Sequence, residues 1–486
     1  MAQTSVTLDD KYTLDAGRIY LTGTQALVRV LLAQRRRDLA AGLNTAGFIS
    51  GYRGSPMTAI DVELWRAEQH TKDNHITFWP AVTEHMAMTA VWGTQQVGHF
   101  NDANYDGVYS MWYGKGPGLD QAMDALRQGN YFGSARHGGV LVLSGDDPAM
   151  RSTVVSSSSE LIFENLLMPM LYPADIQDVF DLGLAGFELS RFSGAWVGYK
   201  LLPETIETAA SIRGDHDHIQ FVRPDFEFPP DGVNSRVGDM YYMQERRLRG
   251  YKLPAAIEFA RANKLNRVTH DSPRARFGIA AMGKTWRDTL QALEDLGIDE
   301  GVMAAIGIRI LKVAMPFPLD RDTYREFADG LDEILVIEDK FEQIENAVRS
   351  VCYRLPEGRQ PRIVGRLDEN GRKLVDDIGD LSADKISRVI AGRIRSFHDS
   401  ERIRARVAFL DRQQDDARER DALTLARLPY FCSGCPHNTS TRVPEGSRAG
   451  GGVGCHFMAN WMDREVHGYT QMGGEGVPWI GQAPFV

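Results

Sequence analysis

The sequence predicts an α/β protein whose parallel β-sheets are covered by helices on both faces. Short apolar runs of strand length alternate with longer segments of helical periodicity over most of the chain. Glycine-rich turns follow several of these runs, where a strand would pass into the next helix. Such alternation is typical of parallel sheets, since a crossover between parallel strands usually contains a helix.

The first half of the chain supplies one series of these elements, after an initial helix at Thr22–Arg36. The predicted strands are Ala46–Ser50, Ile76–Phe78, Val108–Trp112, Gly139–Leu143, Pro169–Tyr172 and His218–Val222. The predicted helices are Met57–His70, Glu84–Gly98, Leu119–Gly129, Glu160–Leu167, Ile176–Arg191 and Pro203–Arg213. The polar stretch Ser152–Ser159 is interpreted as a solvent-facing loop without chemistry.

A second series follows the proline-rich boundary Asp225–Asn234 and a helical connector at Met240–Arg267. Its predicted strands are Arg276–Ala281, Met303–Gly307, Leu311–Val313 and Glu333–Ile337, and its predicted helices are Trp286–Leu296 and Phe341–Arg354. The highly charged run Asp384–Arg427 is typical of a solvated helix or a linker.

Bulk properties exclude several classes of protein. The 486 residues suggest about three domains, and 43% hydrophobic with 25% charged residues is an ordinary globular composition. The net charge of −10 argues against non-specific binding to nucleic acid. No segment approaches the roughly eighteen consecutive apolar residues of a membrane span. The N-terminal residues lack the basic and apolar parts of a signal peptide, so we expect a cytoplasmic protein without a membrane partner.

The segment Phe78–Gln96 contains the candidate catalytic residue, Glu84. Thr83 is a plausible N-cap, which would place Glu84 in the first helical turn among apolar residues. An unpartnered buried carboxylate costs free energy and burial raises its pKa, so such an acid can hold a proton for a ring nitrogen. The alternative is an exposed acid that stabilises the helix dipole.

Three turns follow predicted strands and are candidates for ligand contact. They read GYRGSP at residues 51–56, YGKGPG at residues 113–118 and GDDPAM at residues 145–150. Glycines in such a turn permit close backbone approach to a ligand, and a following helix start favours an anion. The second turn lacks the Gly-Lys-Ser/Thr of a nucleotide-binding loop, and an ordinary glycine-rich turn is an equal alternative for it.

Three of the four cysteines cluster near the C-terminus, at Cys432, Cys435 and Cys455. Two of them have Cys-x2-Cys spacing, which in a cytosolic protein indicates a metal or cluster site rather than disulfides. They could hold a [4Fe–4S] cluster with a ligand from elsewhere, or a structural zinc ion together with His437 or His456. Chance clustering of buried cysteines is a third possibility.

The GYRGSP and GDDPAM turns, the Glu84 helix and the segment FCSGCPH at residues 431–437 resemble the 2-oxoacid:ferredoxin oxidoreductases, most closely the indolepyruvate branch. In that family a YPGTP-like turn opens a pyrimidine-binding domain, and a Glu at the start of a later helix contacts the aminopyrimidine of thiamine diphosphate. An ADDPG-like turn and a CxGCPH-like motif follow. The resemblance covers roughly residues 10–485, although Arg53 and Ser55 depart from the family's usual turn.

The resemblance implies a thiamine diphosphate-binding (pyrimidine-type) parallel-sheet domain over residues 1–235 and a connector over residues 236–275. It further implies a transketolase C-terminal-like α/β domain over residues 276–400, a charged linker over residues 401–428 and the start of a diphosphate-binding domain over residues 429–486. The family's metal-binding GDG-like turn is not found in the last thirty residues. The chain is therefore expected to be the N-terminal portion of a longer one, with Mg²⁺ ligands beyond residue 486.

The resemblance also implies roles for particular residues. Glu84 is the expected catalytic acid. The residues expected at the coenzyme are Glu84, Gly54, Ser55, Pro56, Gly454, Met472, Gly473 and Gly474. Those expected at the substrate are Arg53, Ser55 and Lys115. Those expected at the [4Fe–4S] cluster are Cys432, Cys435 and Cys455.

The implied reaction is the oxidative decarboxylation of a 2-oxoacid, such as indolepyruvate, to an acyl-CoA. The implied partners are coenzyme A, ferredoxin or a similar electron acceptor, and a second copy of the chain in a homodimer. Two alternatives remain open at this point. One is a non-oxidative thiamine enzyme, which would not need the cysteines; the other is a non-catalytic, zinc-stabilised subunit.

Overall fold

The fold was obtained as a computed structural model, which describes residues 6–100, 102–240, 242–421 and 427–486. These residues form two compact units. The larger contains residues up to Ala149 and Ser157–Val407, and the smaller contains Met150–Ser156 and Ala408–Val486. Within the described ranges, no helix has the length and apolar character needed to cross a bilayer.

The first part of the larger unit alternates strands and helices, as the sequence predicts. In chain order its elements are α1 Asp10–Thr13, β1 Arg18–Thr22, α2 Gly23–Ala40, β2 Ala46–Gly51, α3 Ala59–Arg66, α4 Glu68–Asp73, β3 Ile76–Pro80, α5 Glu84–Thr94, β4 Val108–Lys115, α6 Gly116–Phe132, β5 Val140–Gly145, α7 Glu160–Asn165, β6 Met170–Leu171, α8 Ile176–Ser193, β7 Val197–Leu201, α9 Pro203–Ile206 and β8 Ala209–Arg213.

Six of these strands form a parallel sheet in the order β3-β2-β4-β5-β7-β6. Alternate side chains of each strand enter different cores, as a pleated strand requires. Met111 and Leu141 join the core that contains α2 and α8, whereas Trp112 and Val142 join the core that contains α5 and α6. Because both faces are buried, the strands are almost continuously apolar.

Two predictions about the end of this region were wrong. The predicted helix Pro203–Arg213 stops at Ile206, and Ala209–Arg213 forms β8, which pairs antiparallel with β1. This tertiary pairing overrides the weak helical pattern of the segment. The predicted strand His218–Val222 has no regular secondary structure in the described chain. The His218 side chain instead lies 2.9 Å from the Asp181 carboxylate.

The second part of the larger unit begins with a helical connector, as expected. Its elements are α10 Met243–Arg247, a π-helical turn Leu248–Lys252, α11 Leu253–Ala262, β9 Arg267–His270, β10 Phe277–Met282, α12 Gly283–Asp295, α13 Glu300–Ile306, β11 Ile308–Val313, α14 Arg321–Ala328, β12 Glu333–Ile337, α15 Gln343–Cys352, β13 Arg362–Val364 and α16 Ala383–Ile394. A five-stranded sheet has the order β13-β12-β10-β11-β9, with only β9 antiparallel among its described strands.

The predicted strand Met303–Gly307 was also wrong, because this segment belongs to helix α13. The carboxylate of Asp299 accepts a hydrogen bond from the Val302 amide at 2.9 Å and caps the helix start. Gly307 ends the helix in the left-handed conformation, with φ of 86°. A short apolar run fits a strand or a helix equally, and here the two caps decide.

The two sheets of the larger unit are joined along the edge strand β6. The amide of Met170 donates to the Phe317 carbonyl at 2.9 Å, and the amide of Tyr172 donates to the Ala314 carbonyl at 2.8 Å. Gly283, at the start of α12, has φ of 48°, and a Cβ there would lie 2.4 Å from the Tyr172 ring. One apolar core contains side chains from both sheets.

The smaller unit is built from short elements around a small apolar core. After helix α17 Glu401–Asp421, the elements are α18 His437–Ser440, β14 Ala449–Gly450, a 3-10 helix Gly454–Trp461, β15 Val466–His467, α19 Val477–Gln482 and a 3-10 turn Ala483–Phe485. Strands β14 and β15 pair in parallel. The predicted charged linker is therefore largely helical, and its residues 422–426 lie outside the described residues.

Candidate active site

The candidate residues of the first sheet lie where its parallel strands end. The register pairs Gly51 of β2 with Tyr113 of β4, and Lys115 of β4 with Gly145 of β5. The turns GYRGSP, YGKGPG and GDDPAM therefore leave the sheet at one edge, as does the turn that leads into α5. The carboxyl edge of a parallel α/β sheet is where such proteins bind ligands.

Glu84 lies in the first turn of α5 and is buried, with 6% of its surface exposed. The indole nitrogen of Trp112 donates to the Glu84 backbone carbonyl at 3.0 Å and fixes this helix start. Within the described ranges, the Glu84 carboxylate makes no hydrogen bond and no ion pair. Because an unpartnered buried carboxylate is unfavourable, this side chain is suited to a ligand that supplies the missing partner.

Gly118 of α6 permits the Glu84 side chain to occupy this position. A Cβ atom at residue 118 would lie 2.6 Å from both Cγ and Oε1 of Glu84. Real Cβ atoms do not approach other atoms so closely, so any larger residue would displace the carboxylate. Gly118, the last glycine of the YGKGPG turn, therefore leaves the space that the Glu84 side chain occupies.

Thr83 occupies the N-cap position with an extended backbone, as predicted, but without the expected side-chain bond. No cap hydrogen bond forms among the described residues, and the buried Oγ1 has no partner there. A buried hydroxyl group without a partner thus belongs to the residue that directly precedes Glu84. An unpaired buried polar atom usually indicates a ligand, a water molecule or an ion.

Lys115 and Gly54 are adjacent, as the predicted substrate and coenzyme contacts require. A Cβ at Gly54 would lie 3.3 Å from the Cβ of Lys115. Burial lowers the pKa of Lys115, and the neighbouring Asp147 carboxylate opposes that shift. The peptide bond from Ser55 to Pro56, two further predicted coenzyme contacts, is cis.

Arg53 lies at the outer side of the same turn, with 60% of its side chain exposed. Its Nε lies 3.5 Å from Oδ2 of the buried Asp61, and its guanidinium group lies 5.6 Å from the Trp65 ring centre. Tyr113 donates its hydroxyl to the same Asp61 carboxylate. Any substrate carboxylate at Arg53 would therefore compete with Asp61 for the guanidinium group.

A buried ion cluster lies behind the GDDPAM turn and was not predicted from the sequence. It consists of Asp146, Glu160 and Lys200, whose side chains are at most 1% exposed. The loop Ser152–Ser159 was predicted to face solvent. This prediction was wrong for Ser159, which is buried and donates a hydrogen bond to Asp146. The sequence feature that could have indicated this cluster is Lys200, because a charged residue inside the apolar strand VGYKL needs a buried partner.

In the smaller unit, the predicted cysteine ligands do not form one metal site. Cys432 and Cys435 share a turn closed by a 3.0 Å hydrogen bond, and Cys435 Sγ lies 3.3 Å from His437 Nδ1. Cys432 and Cys455 are exposed. Among the described residues, no three His, Cys, Asp or Glu side chains are grouped closely enough to hold a metal ion. The [4Fe–4S] ligand set of Cys432, Cys435 and Cys455 therefore stays a prediction.

The other coenzyme candidates of the smaller unit lie on two neighbouring loops. Gly454 begins the 3-10 helix, and residues 471–474 form a turn closed by the Gly474 amide and the Gln471 carbonyl. The Gly473 amide donates to the Glu475 carboxylate at 2.8 Å. A Cβ at Gly452 would lie 3.2 Å from Cγ of Glu475, so the glycine run at residues 450–452 approaches the loop of Met472.

Comparison with known proteins identifies the class of fold. The chain superposes on a 2-oxoglutarate:ferredoxin oxidoreductase from Magnetococcus marinus with a TM-score of 0.54 and 14% sequence identity. The match covers 78% of this chain and 65% of that chain. The protein therefore has the fold of the 2-oxoacid:ferredoxin oxidoreductases, which confirms the predicted fold class.

The chain is also similar in sequence to indolepyruvate oxidoreductases. Residues 267–417 match the indolepyruvate oxidoreductase domain family. The subunit IorA of indolepyruvate oxidoreductase from Methanothermobacter marburgensis is 26% identical over 439 residues, which are 88% of this chain and 61% of that protein. IorA of Pyrococcus horikoshii is 23% identical over 434 residues, covering 87% and 58%. The chain is thus similar to IorA over most of its own length and spans about three fifths of the length of these relatives.

The residues at the first sheet fit the coenzyme that the resemblance implies. A ring nitrogen at Glu84 would supply the partner that the buried carboxylate lacks. Gly54 and Gly118 leave room next to Lys115 and Glu84, respectively. The predicted Mg²⁺ ligands were placed beyond residue 486, so nothing in the described chain tests that prediction.

Proposed function

We propose that this chain is part of a thiamine diphosphate-dependent oxidoreductase that oxidatively decarboxylates 2-oxoacids, with aryl pyruvates such as indolepyruvate as substrates. The observation that supports this most strongly is Glu84, a buried and unpartnered acid at the carboxyl edge of a sheet with the 2-oxoacid:ferredoxin oxidoreductase fold. The indolepyruvate substrate is supported by the names of the IorA relatives.

Balanced, the proposed reaction converts a 2-oxoacid, coenzyme A and two oxidised ferredoxins into an acyl-CoA, CO₂, two reduced ferredoxins and a proton. The bond between the carboxylate and the keto carbon breaks, and the bond to the sulfur of coenzyme A forms. The two electrons released pass one at a time to ferredoxin. Thiamine diphosphate, when bound, supplies the electron sink that this bond cleavage needs.

Glu84 is the residue of this chain that we expect to contact the reacting coenzyme directly. Its carboxylate would hold a proton between one of its oxygens and the pyrimidine nitrogen of the coenzyme. The side chain is only 6% exposed, and a hydrogen bond to a charged group in such a place is strong. Gly54, Ser55 and Pro56 would contact the coenzyme from the neighbouring turn. The coenzyme contacts expected at Gly454, Met472, Gly473 and Gly474 stay predictions.

Lys115, Arg53 and Ser55 are the proposed contacts of the substrate carboxylate. A charge-assisted hydrogen bond from either cation contributes about 1.5–3 kcal/mol. Lys115 is the more buried cation of the two, and its pKa is lowered by that burial. A substrate carboxylate would favour its protonated form.

The three cysteines of the smaller unit are the predicted ligands of an iron–sulfur centre. Cys432, Cys435 and Cys455 have the predicted spacing, but the described residues do not assemble them into one ligand set. We therefore assign no electron transfer to them. Iron, zinc and acid-labile sulfide should be measured on protein purified without oxygen. Iron with equimolar sulfide supports a cluster, whereas zinc alone supports a structural metal site.

The function itself is tested by anaerobic turnover of the full enzyme with its natural subunits. Indolepyruvate, coenzyme A and ferredoxin should yield an acyl-CoA and reduced ferredoxin only when thiamine diphosphate is present. Release of an aldehyde without ferredoxin reduction would identify a non-oxidative thiamine enzyme. Absence of both thiamine binding and turnover would contradict the proposal.

A further inference from the structure

The buried ion cluster behind the GDDPAM turn lies outside the residues assigned so far. Lys200 of β7 forms an ion pair with Glu160, and its Nζ lies 3.5 Å from Oδ2 of Asp146. The same nitrogen lies 3.4 Å from the Ser158 hydroxyl. The side chains of Lys200 and Asp146 are 0% exposed. One cation is therefore shared between two carboxylates that have no access to solvent.

Asp146 is fixed by further hydrogen bonds from both sides of the loop. The Ser144 hydroxyl donates to Oδ1 at 3.0 Å. The amide and the hydroxyl of Ser159 both donate to Oδ2 at 2.8 Å. Burial raises the pKa of Asp146, whereas Lys200 and the Ser159 donors oppose that shift. These contacts tie the end of β5 to the start of α7.

Two residues, Asp147 and Gly116, connect this cluster to the proposed substrate contact Lys115. Asp147, the next residue after Asp146, is buried and its carboxylate acts on the Lys115 amine. Gly116, the next residue after Lys115, lies against the cluster from the other side. A Cβ at residue 116 would lie 2.2 Å from the Ser157 hydroxyl and 3.5 Å from Oδ1 of Asp146.

Stability alone does not account for such a cluster. Burying two carboxylates and an ammonium group requires a large desolvation free energy, and apolar residues of similar size often serve equally well. A buried and fully bonded ionic group does, however, hold its neighbours in one geometry. Here the neighbours include the GDDPAM turn and Gly116, which lie next to Lys115, as well as the Tyr172 ring and Asp339.

We propose that Lys200, acting through Asp146, is a positioning residue that holds the GDDPAM turn and Lys115 in the geometry that binds the substrate carboxylate. This inference rests on the proposed function. It assigns no contact between Lys200 and substrate. It predicts that loss of the Lys200 charge weakens binding of the 2-oxoacid while binding of thiamine diphosphate at Glu84 is preserved.

The test compares Lys200→Met with Lys252→Met in the full enzyme. Lys252 is also fully buried, but it donates to the Tyr131 carbonyl, in a different part of the larger unit. Lys200→Met should raise the KM for the 2-oxoacid roughly tenfold or more, as displacement of a binding group does. Its affinity for thiamine diphosphate should stay within about twofold of wild type. Lys200→Arg should recover part of the lost KM, whereas Lys252→Met should leave the KM unchanged.

The outcomes separate this inference from the function on which it rests. An unchanged KM in folded Lys200→Met overturns the assignment of Lys200. If that variant does not fold, Ser159→Ala decides, because it removes one donor to Asp146 and leaves the charges in place. A KM raised several-fold in Ser159→Ala supports the proposal, and an unchanged KM overturns it. Absence of turnover in the wild-type enzyme would overturn the proposed function, and this assignment with it.

Discussion

At the residue scale, the account depends on one glutamate and the glycine that makes room for it. Glu84 is the expected catalytic acid because its segment and the neighbouring turns resemble those of the 2-oxoacid:ferredoxin oxidoreductases, and its side chain is buried in the structure. Sequence reasoning did not identify the contact between Gly118 and the Glu84 side chain. The two residues are 34 positions apart, and only the packing of α5 against α6 brings them together.

Gly118→Ala tests this contact. Alanine favours a helix by up to about 1 kcal/mol over glycine, so the free energy of unfolding should not fall greatly. Its Cβ would, however, displace the Glu84 carboxylate, and we expect turnover to fall roughly tenfold or more. The effect is measured as kcat in the full enzyme, alongside urea unfolding.

Gly93→Ala is the matched control. Gly93 lies in α5, the helix of Glu84, and a Cβ there would meet no heavy atom within 4 Å among the described residues. This substitution should stabilise the helix and leave kcat unchanged. Equal kcat values for the two alanine variants would show that the space at Gly118 has no role in catalysis.

At the element scale, the strands of the first sheet were predicted better than the segments between them. Val108–Trp112 and Gly139–Leu143 are almost continuously apolar, because both faces of the sheet are covered. Their strands appear with small changes of boundary. The segment Ala209–Arg213 was misassigned, since its partner β1 lies almost two hundred residues earlier. Pairing over such a separation leaves no signal in local periodicity.

The buried Lys252 contacts the C-terminal end of helix α6 and makes the stability of the larger unit depend on pH. The Lys252 amine donates to the Tyr131 carbonyl at 3.2 Å, in the last turn of α6, and a Cβ at Gly133 would lie 2.4 Å from it. Burial lowers the pKa of Lys252 to about 7. The unfolded chain therefore binds more protons than the folded chain between that pH and the ordinary pKa of lysine.

We expect the stability of the larger unit to rise with pH over this window. Because the pKa of Lys252 is lower in the folded chain, folding at pH 7 to 10 requires loss of a proton from this amine, which costs free energy. Raising the pH from 7 towards 10 removes this cost, because the unfolded chain also loses the proton. Chemical denaturation at several pH values measures the slope. Lys252→Met should flatten it, and a wild-type slope retained in that variant would assign the pH dependence to another group.

At the scale of the whole molecule, the two sheets of the larger unit share one apolar core and an edge contact. The sequence predicted two α/β layers, but it carried no sign of how β6 would meet the second sheet. Gly283 makes that contact possible. Its φ of 48° and its closeness to the Tyr172 ring both exclude a side chain.

Gly283→Ala should therefore lower the free energy of unfolding of the larger unit by more than the cost of an alanine in the left-handed conformation. Gly330 provides the comparison, because its φ is 76° and a Cβ there would meet no heavy atom within 4 Å in the described chain. Gly330→Ala should cost about 1 kcal/mol. Gly283→Ala adds a clash with Tyr172, for which overpacking costs of about 1–3 kcal/mol are usual. Equal losses in urea unfolding would contradict the inferred contact.

The smaller unit marks the limit of sequence reasoning in this chain. The Cys-x2-Cys spacing and the glycine-rich loops were evident, yet spacing alone does not decide which ligands converge. The described residues bring Cys435 to His437 and leave Cys432 and Cys455 exposed. The ligand set of a metal site depends on backbone positions that only the metal and its remaining ligands define.

The most direct measurement compares Glu84→Gln with wild type in the full enzyme under anaerobic turnover with 2-oxoacid, coenzyme A and ferredoxin. Thr89→Ala, on the exposed side of the same helix, serves as the control. Glu84→Gln should keep the fold and lose most of kcat, because an amide cannot share an acidic proton with a ring nitrogen. Turnover of Glu84→Gln close to that of wild type and of Thr89→Ala would contradict the account.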